Sequence, residues 1–305
     1  MIATWFRRAA LALAGAGLAA LIAACGSGSV VSDLKPKRFL VVGDGFADVG
    51  QNGYRFTIND GSLNWVQQFA SYYSLTVEPA SAGGWAYAQG NARVDSPDPV
   101  SNAPSVRQQV DALLARDSFR QGDVMIVGGG IADIVAAVNA TGTTDASTQT
   151  VRAAGKALAA QVQRVVNAGA THVVVVGVYD IGHTPWAASS GYDHNKISDL
   201  SNAFNDALLV ELSDPKWGQN VLYFDAALFF NFIYNRPENY PVDNVKNAVC
   251  TTPDATTCTS GTLAAGADPA RWLYADSLYL TPQMQRLFVS DGYLENAYSR
   301  FKGRW

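Results

Sequence analysis

Charge and reactive side chains are both scarce in this chain. Only 16% of its 305 residues are charged, the formal net charge is −4, and there are three cysteines and three histidines. Nucleic acid rewards clustered Lys and Arg that neutralise phosphates; no such cluster occurs, which argues against that partner. Two of the cysteines, Cys250 and Cys258, share the Thr-rich stretch NAVCTTPDATTCTS. No histidine lies near them, and two sulfurs leave zinc short of its four ligands. In an exported protein such a pair is expected to close a small loop as a disulfide. After the first 24 residues there is no second long apolar run. With 48% of the chain apolar, residues 38–305 are expected to fold as one domain around a substantial core. Nothing in the sequence calls for a cofactor or a metal.

The chain opens MIATWFRRAALALAGAGLAALIAAC, where Arg7 and Arg8 precede an apolar run that ends in small residues. The run is short for a bilayer span and reads as a secretory signal over residues 1–24. The tetrapeptide IAAC resembles the lipobox of bacterial lipoproteins, in which the cysteine becomes the acylated first residue. Cys25 is then a lipidation site and residues 25–37 a flexible, small and polar tether. Each buried CH₂ contributes roughly 0.8 kcal/mol, so several acyl chains anchor a protein nearly permanently. The alternative is an ordinary signal peptide with an incidental cysteine. Gly26, in place of an acidic residue, resembles lipoproteins sent to the outer membrane of a bacterial envelope.

Short β-rich apolar runs recur at 38–43, 123–129, 171–178 and 220–226 and read as buried strands. Helical patterns lie between them, at 65–73, 106–115, 150–168, 197–212 and 282–298, the third stopping at Gly169 as a C-cap. Strands alternating with helices predict an α/β fold, a three-layer α/β/α sandwich with a mostly parallel central sheet. The turns GDGFADVG, GGGIADI and VYDIGHTP each follow a strand, so they should share the carboxyl rim, where such sheets bind ligands. The stretch 247–268 is expected to be the least structured.

Four blocks in order carry a resemblance. VVGDGFADVG resembles the pattern G-D-S-hydrophobic-x-D-x-G, GGWAYAQGNARV resembles G-G-x-N-Y-A-x-G-G-A-R, VGGGIADI resembles G-G-x-N-D, and YADSLYLTP resembles D-x-x-H-x-T/S-P. Together they are similar to the SGNH hydrolases, the GDSL esterases and lipases, over nearly the whole chain after the leader. The resemblance implies a flavodoxin-like sandwich. It also implies a site built from a serine, a histidine, an aspartate and oxyanion donors from a glycine amide and an asparagine.

Most of those positions are changed. The serine position is Gly45, the asparagine position Ala132 and the histidine position Tyr279, whose phenol is a poor base at neutral pH. Asp276 keeps its motif residue. Gly90 still offers an amide, and whether Gly90 or Asn91 takes the oxyanion role is open. Losing a serine or histidine from such a triad costs roughly a million-fold in rate and losing one oxyanion donor alone about 2.7 to 4 kcal/mol, losses that do not add because the members act together. The expected function is that of a pseudoenzyme, a membrane-anchored lipoprotein that binds an acyl, glycan or protein ligand. The competing reading is an active carboxylic-ester hydrolase with an unrecognised nucleophile, for which Ser62, Ser81 and Ser277 are available. A purely structural envelope protein is a third.

Three further groups have a functional and a structural reading. Asp44, Asp48, Asp133 and Asp276 crowd the predicted rim, where they could do acid-base work, hold a cation or simply brace turns. His183 and His194, with Asp180 and Asp193, could supply a displaced base or lie in a solvated loop, and His172 reads as structural. Trp85, Tyr87 and Tyr279 are expected together at the cleft, as a ligand platform or as a plug.

Overall fold

The computed structural model describes residues 32–290 and 292–305. The leader, Cys25 and the tether up to residue 31 lie outside the described residues.

Strands β1 (Arg38–Val42), β2 (Asp123–Val127), β3 (Val173–Val176) and β4 (Val221–Phe224) form one parallel sheet in the order β1-β2-β3-β4. Phe39 pairs with Val124, Val127 with Val175, and Val175 with Tyr223. The first three strands are runs of Val, Ile, Leu, Met and Phe that are buried almost throughout, as strands covered on both faces must be. β1 does not end the sheet bare. Val41 donates its N–H to the Trp85 carbonyl at 3.1 Å, and Tyr87 donates to the Val41 carbonyl at 2.7 Å.

On one face pack α2 (Val106–Arg116), α3 (Ile131–Thr141), α4 (Asp145–Asn167) and α6 (His194–Leu212), the last preceded by the short α5 (Pro185–Ser189). α4 starts in a capping box between Thr144 and Ser147 and turns its Val151, Leu158, Val162 and Val165 inward. Gly155 lets α4 and α6 touch at the backbone, because a β-carbon there would stand 2.4 Å from the Phe204 carbonyl oxygen. On the other face pack α1 (Trp65–Ser71), α8 (Ala226–Asn235), α9 (Pro282–Val289) and α10 (Ala297–Lys302), with α7 (Pro215–Gly218) before β4. This layer is aromatic. The Phe46 ring meets Trp65 at 5.6 Å, Phe288 at 6.1 Å and Phe230 at 6.2 Å between centroids, and the Trp65 indole N–H donates to the Phe46 carbonyl. The first turn after β1 is thereby pinned from beneath. Among the described residues, every buried core residue lies between Phe39 and Phe301. No helix among the described residues is long and apolar enough to cross a membrane.

The structure departs from the sequence reading in several places. The helix expected over 282–298 is two helices: Ser290 leaves α9 in an extended conformation, Gly292 has φ +101°, and Asn296 caps α10 by accepting from the Ser299 N–H. Residues 32–37, assigned to the flexible tether, lie against the domain. Pro36 is buried, Leu34 packs on the core, and Ser32 and Lys37 donate to the carbonyls of Lys302 and Gly122. The 247–268 stretch is also better ordered than its composition implies. β5 (Asn244–Ala248) pairs in parallel with β6 (Trp272–Tyr274), and Cys250 and Cys258 are joined with Cα atoms 5.6 Å apart. Around them Ile58, Val249 and Ala275 form a small core of their own. α3 and α8 escaped the periodicity reading because their apolar residues run almost continuously and blur the 3.6-residue stripe.

Candidate functional site

The turn after β1 is built by its own carboxylates. Asp44 accepts from the Phe46 N–H through Oδ1 and, through Oδ2, from the Ile131 N–H at the start of α3. A carboxylate at a helix N-terminus satisfies an amide that the helix leaves free. Asp48 accepts from Gly50 and Gln51 through Oδ1 and from the Gly90 N–H at 2.9 Å through Oδ2. Gln109 of α2 clamps the turn from the side, accepting from the Gly43 N–H at 2.8 Å and donating to its carbonyl at 3.0 Å. Asp44, Gly90 and Ile131, one from each of the first three blocks, therefore meet on one rim, at the carboxyl ends of β1 and β2.

Two aromatic side chains fill the centre of that rim. A β-carbon on Gly45 would stand 2.6 Å from the Tyr279 phenol oxygen and 2.8 Å from Cγ of Phe56. One on Gly90 would fall inside the Phe56 ring, 1.7 Å from Cε2 and Cζ. The Phe56 and Tyr279 rings meet edge to face, 5.0 Å between centroids, and both are buried. The space that a side chain at position 45 would enter is thus occupied, and the Gly90 amide is already spent on Asp48. Asn91, the other oxyanion candidate, sits at φ +64° beside Tyr279.

Tyr279 has no means of acting as a base. Burial pushes its phenol well above the usual value, and the nearby Asp44, Asp276 and Asp48 carboxylates push it further, so it stays protonated. Asp276 does not orient it through the hydroxyl. Its Oδ1 accepts from the backbone N–H groups of Leu278 and Tyr279, and its Oδ2 from that of Ala255 at 2.7 Å. The aspartate ties the 276–279 turn to the disulfide loop, while the Tyr179 hydroxyl donates to the Leu278 carbonyl.

Burial raises the carboxyls of Asp44 and Asp276 to about 6 and that of Asp133 to about 7, and it raises Asp48 as well. These groups hold backbone amides; Asp133 accepts from the Val94 N–H with both oxygens. Among the described residues no group of three or more His, Cys, Asp or Glu is arranged to hold a metal ion. The His183 ring stacks flat on Tyr234 at 3.7 Å, with Nε2 3.6 Å from Asp180, and burial lowers its pKa. His172 meets Trp305 edge to face at 5.1 Å, at the far end of the strands. Ser81 donates to the Gln51 carbonyl and Ser277 to that of Pro253; Ser62 is half-buried, its N–H bound to Asp60.

Trp85 and Tyr87 are not where the sequence reading puts them. The Trp85 ring lies between the guanidinium carbons of Arg38 at 4.4 Å and Arg116 at 4.0 Å, a cation–π sandwich at the start of β1. Tyr87 shares Arg116 through its hydroxyl. Pairing of 85–87 with Val41 fixes this placement, since it faces both rings down the outer edge of the sheet. Phe56 takes the expected role, and no sequence pattern marks it. It stands in an aperiodic loop far along the chain from Gly90 and Tyr279, and only folding brings the three together.

Beside the plug remains a pocket of about 270 Å³, lined by Asn91, Arg93, Ser101, Ala132, Asn139 and Tyr279 among others. Arg93 pairs with Asp98 at 3.1 Å, and its buried Nε–H meets no acceptor among the described residues. The rim keeps a small recess of mixed apolar and polar lining with an unspent donor at its wall.

No protein-family model matches this chain, and no curated protein matches it. Solved structures similar to it include the native aryl esterase of M. smegmatis, 17% identical, with 63% of this chain and 85% of that chain covered at a TM-score of 0.41. Another is phospholipase A1 from Streptomyces albidoflavus, 14% identical, with 87% and 98% covered and a TM-score of 0.43.

Proposed function

We propose that this chain is an SGNH-type hydrolase scaffold that has lost its serine chemistry, is held on a bacterial envelope membrane by acylated Cys25, and binds a ligand at the recess beside Tyr279. The observation that carries the reading is the place of Tyr279 and Phe56 over Gly45 and Gly90. A hydrolase needs a side-chain oxygen at the first position and a free amide at the second. Here the first has no side chain and no room for one, and the second is committed to Asp48. An acyl chain would need the space the two rings fill. The recess that survives sets the apolar Val100, Ala132, Val135, Ala136 and Leu278 beside the amide, hydroxyl and guanidinium groups of Asn91, Asn139, Ser101 and Arg93, a mixed surface that suits a glycan, whose sugar faces are apolar and whose edges carry hydroxyls. Gly26 after Cys25 favours the outer membrane as the site of anchoring.

Hydrolysis of nitrophenyl esters tests this in three proteins: the unaltered chain, the Gly45→Ser/Ala132→Asn/Tyr279→His variant, and that variant with Phe56→Ala added. The unaltered chain should show no turnover and no labelling by a fluorophosphonate, and activity should appear only once Phe56 is trimmed. Serine-type turnover by the unaltered chain would overturn the reading. Anchoring is tested separately, by mass spectrometry of the mature N-terminus, which should be an acylated Cys25.

A further inference from the structure

The pole opposite the plugged rim has a cavity of its own. The starts of all four strands gather there, and a recess of about 360 Å³ opens between Lys35, Lys37, Gln121, His172 and Trp305. Lys35 and Lys37 are exposed and take part in none of the ion pairs among the described residues, whereas Asp33 at the recess edge is the sole acidic side chain lining it. Around it stand Arg304, whose guanidinium donates to the Gly218 carbonyl, and Trp305, whose indole N–H donates to that of Gln219. A basic, tryptophan-bearing face on a chain of net charge −4 is a segregation of charge, and cations with an amphipathic indole suit an anionic membrane surface.

The chain's path places the same face toward the membrane. Ser32 is bonded to Lys302 at this pole, and Cys25 precedes it by seven residues in the sequence. Seven residues reach about 25 Å at full extension, while a domain of this length is about 45–50 Å across. A leash that short cannot bring the opposite rim down to the bilayer. We infer that the recess between Lys35, Lys37 and Trp305 takes the phosphate headgroup of an anionic phospholipid, so that the domain lies on its membrane with the Gly45–Tyr279 rim facing away. The inference of orientation rests on the proposed anchor at Cys25; the headgroup site itself does not.

The test uses residues 32–305, which include every core residue among those described and lack Cys25, so its failure is separate from a failure of the lipidation reading. Co-sedimentation is measured with vesicles of phosphatidylcholine alone and with phosphatidylglycerol added. Binding to the anionic vesicles should be at least about fivefold greater, since each basic group near such a surface favours it by about that factor. It should fall to background in about 0.5 M NaCl and in Lys35→Glu/Lys37→Glu, and persist in Arg286→Glu, an exposed cation on α9. Equal binding to both vesicles, or undiminished binding by the double variant, overturns the proposal. Binding of inorganic phosphate that the double variant loses, with no preference for the anionic vesicles, also overturns it and assigns the recess to free phosphate.

Discussion

The phenol oxygen of Tyr279 lies 2.6 Å from the point where a β-carbon on Gly45 would stand. Any restored nucleophile at that position must therefore displace an aromatic ring before it can meet a substrate.

Gly45→Ser alone is expected to destabilise the protein by about 1–3 kcal/mol, the usual cost of overpacking a dense site. Trimming the obstruction should relieve part of it, so Gly45→Ser combined with Tyr279→Ala should cost less than the two single changes added together. Urea denaturation of the four proteins measures the coupling, and strict additivity would mean that the two positions do not touch.

Gln109→Leu should cost about 2–4 kcal/mol, because it strands both the N–H and the carbonyl of buried Gly43. A shift in the urea midpoint with an unchanged slope is the expected result. No shift would show that the clamp is dispensable.

Stability should rise as pH falls from 8 to 5. Burial raises Asp44 and Asp276 to about 6 and Asp133 to about 7, against about 3.9 for an unfolded aspartate. A carboxyl whose folded pKa is raised contributes stability that is fully present below the unfolded value and lost as pH rises through the folded one. Burial of His172 and His183 lowers their pKa values and opposes this below about pH 6.5, but three carboxyls outweigh two imidazoles. Asp133→Asn keeps an acceptor for Val94 and removes one charge. It should raise stability at pH 8 by on the order of 1–2 kcal/mol, Asp133 being partly open to solvent, and flatten the pH profile. An equally steep profile in the variant would contradict this.

Breaking the disulfide with Cys250→Ser/Cys258→Ser should cost about 2.5 kcal/mol from loop entropy. It should also loosen the 276–279 turn, because the bridged loop supplies the Ala255 N–H to Asp276. Proteolysis or hydrogen exchange at residues 274–281 reads this out, and unchanged protection there would separate the loop from the turn.

Local order along the chain was readable wherever one residue's neighbours in sequence are also its neighbours in space. The Val-rich strands, the inward stripe of α4 and its end at Gly169 follow from short-range sterics and periodicity. The two-cysteine loop is also local, its partners eight positions apart in the chain. Where apolar runs are continuous, as in α8, the pattern cannot separate helix from strand, and boundaries near 290 depended on Gly292.

By itself the sequence determined the α/β alternation and the absence of a hydroxyl at position 45, since each is a property of composition or of one residue. Only the tertiary structure decided that the vacated position is filled, and by which side chain. Phe56 reaches Gly90 and Tyr279 through packing between segments that are remote in the chain, and no rule of local spacing encodes it. The same holds for Trp85, whose place between two guanidinium groups was set by the pairing of its segment with β1.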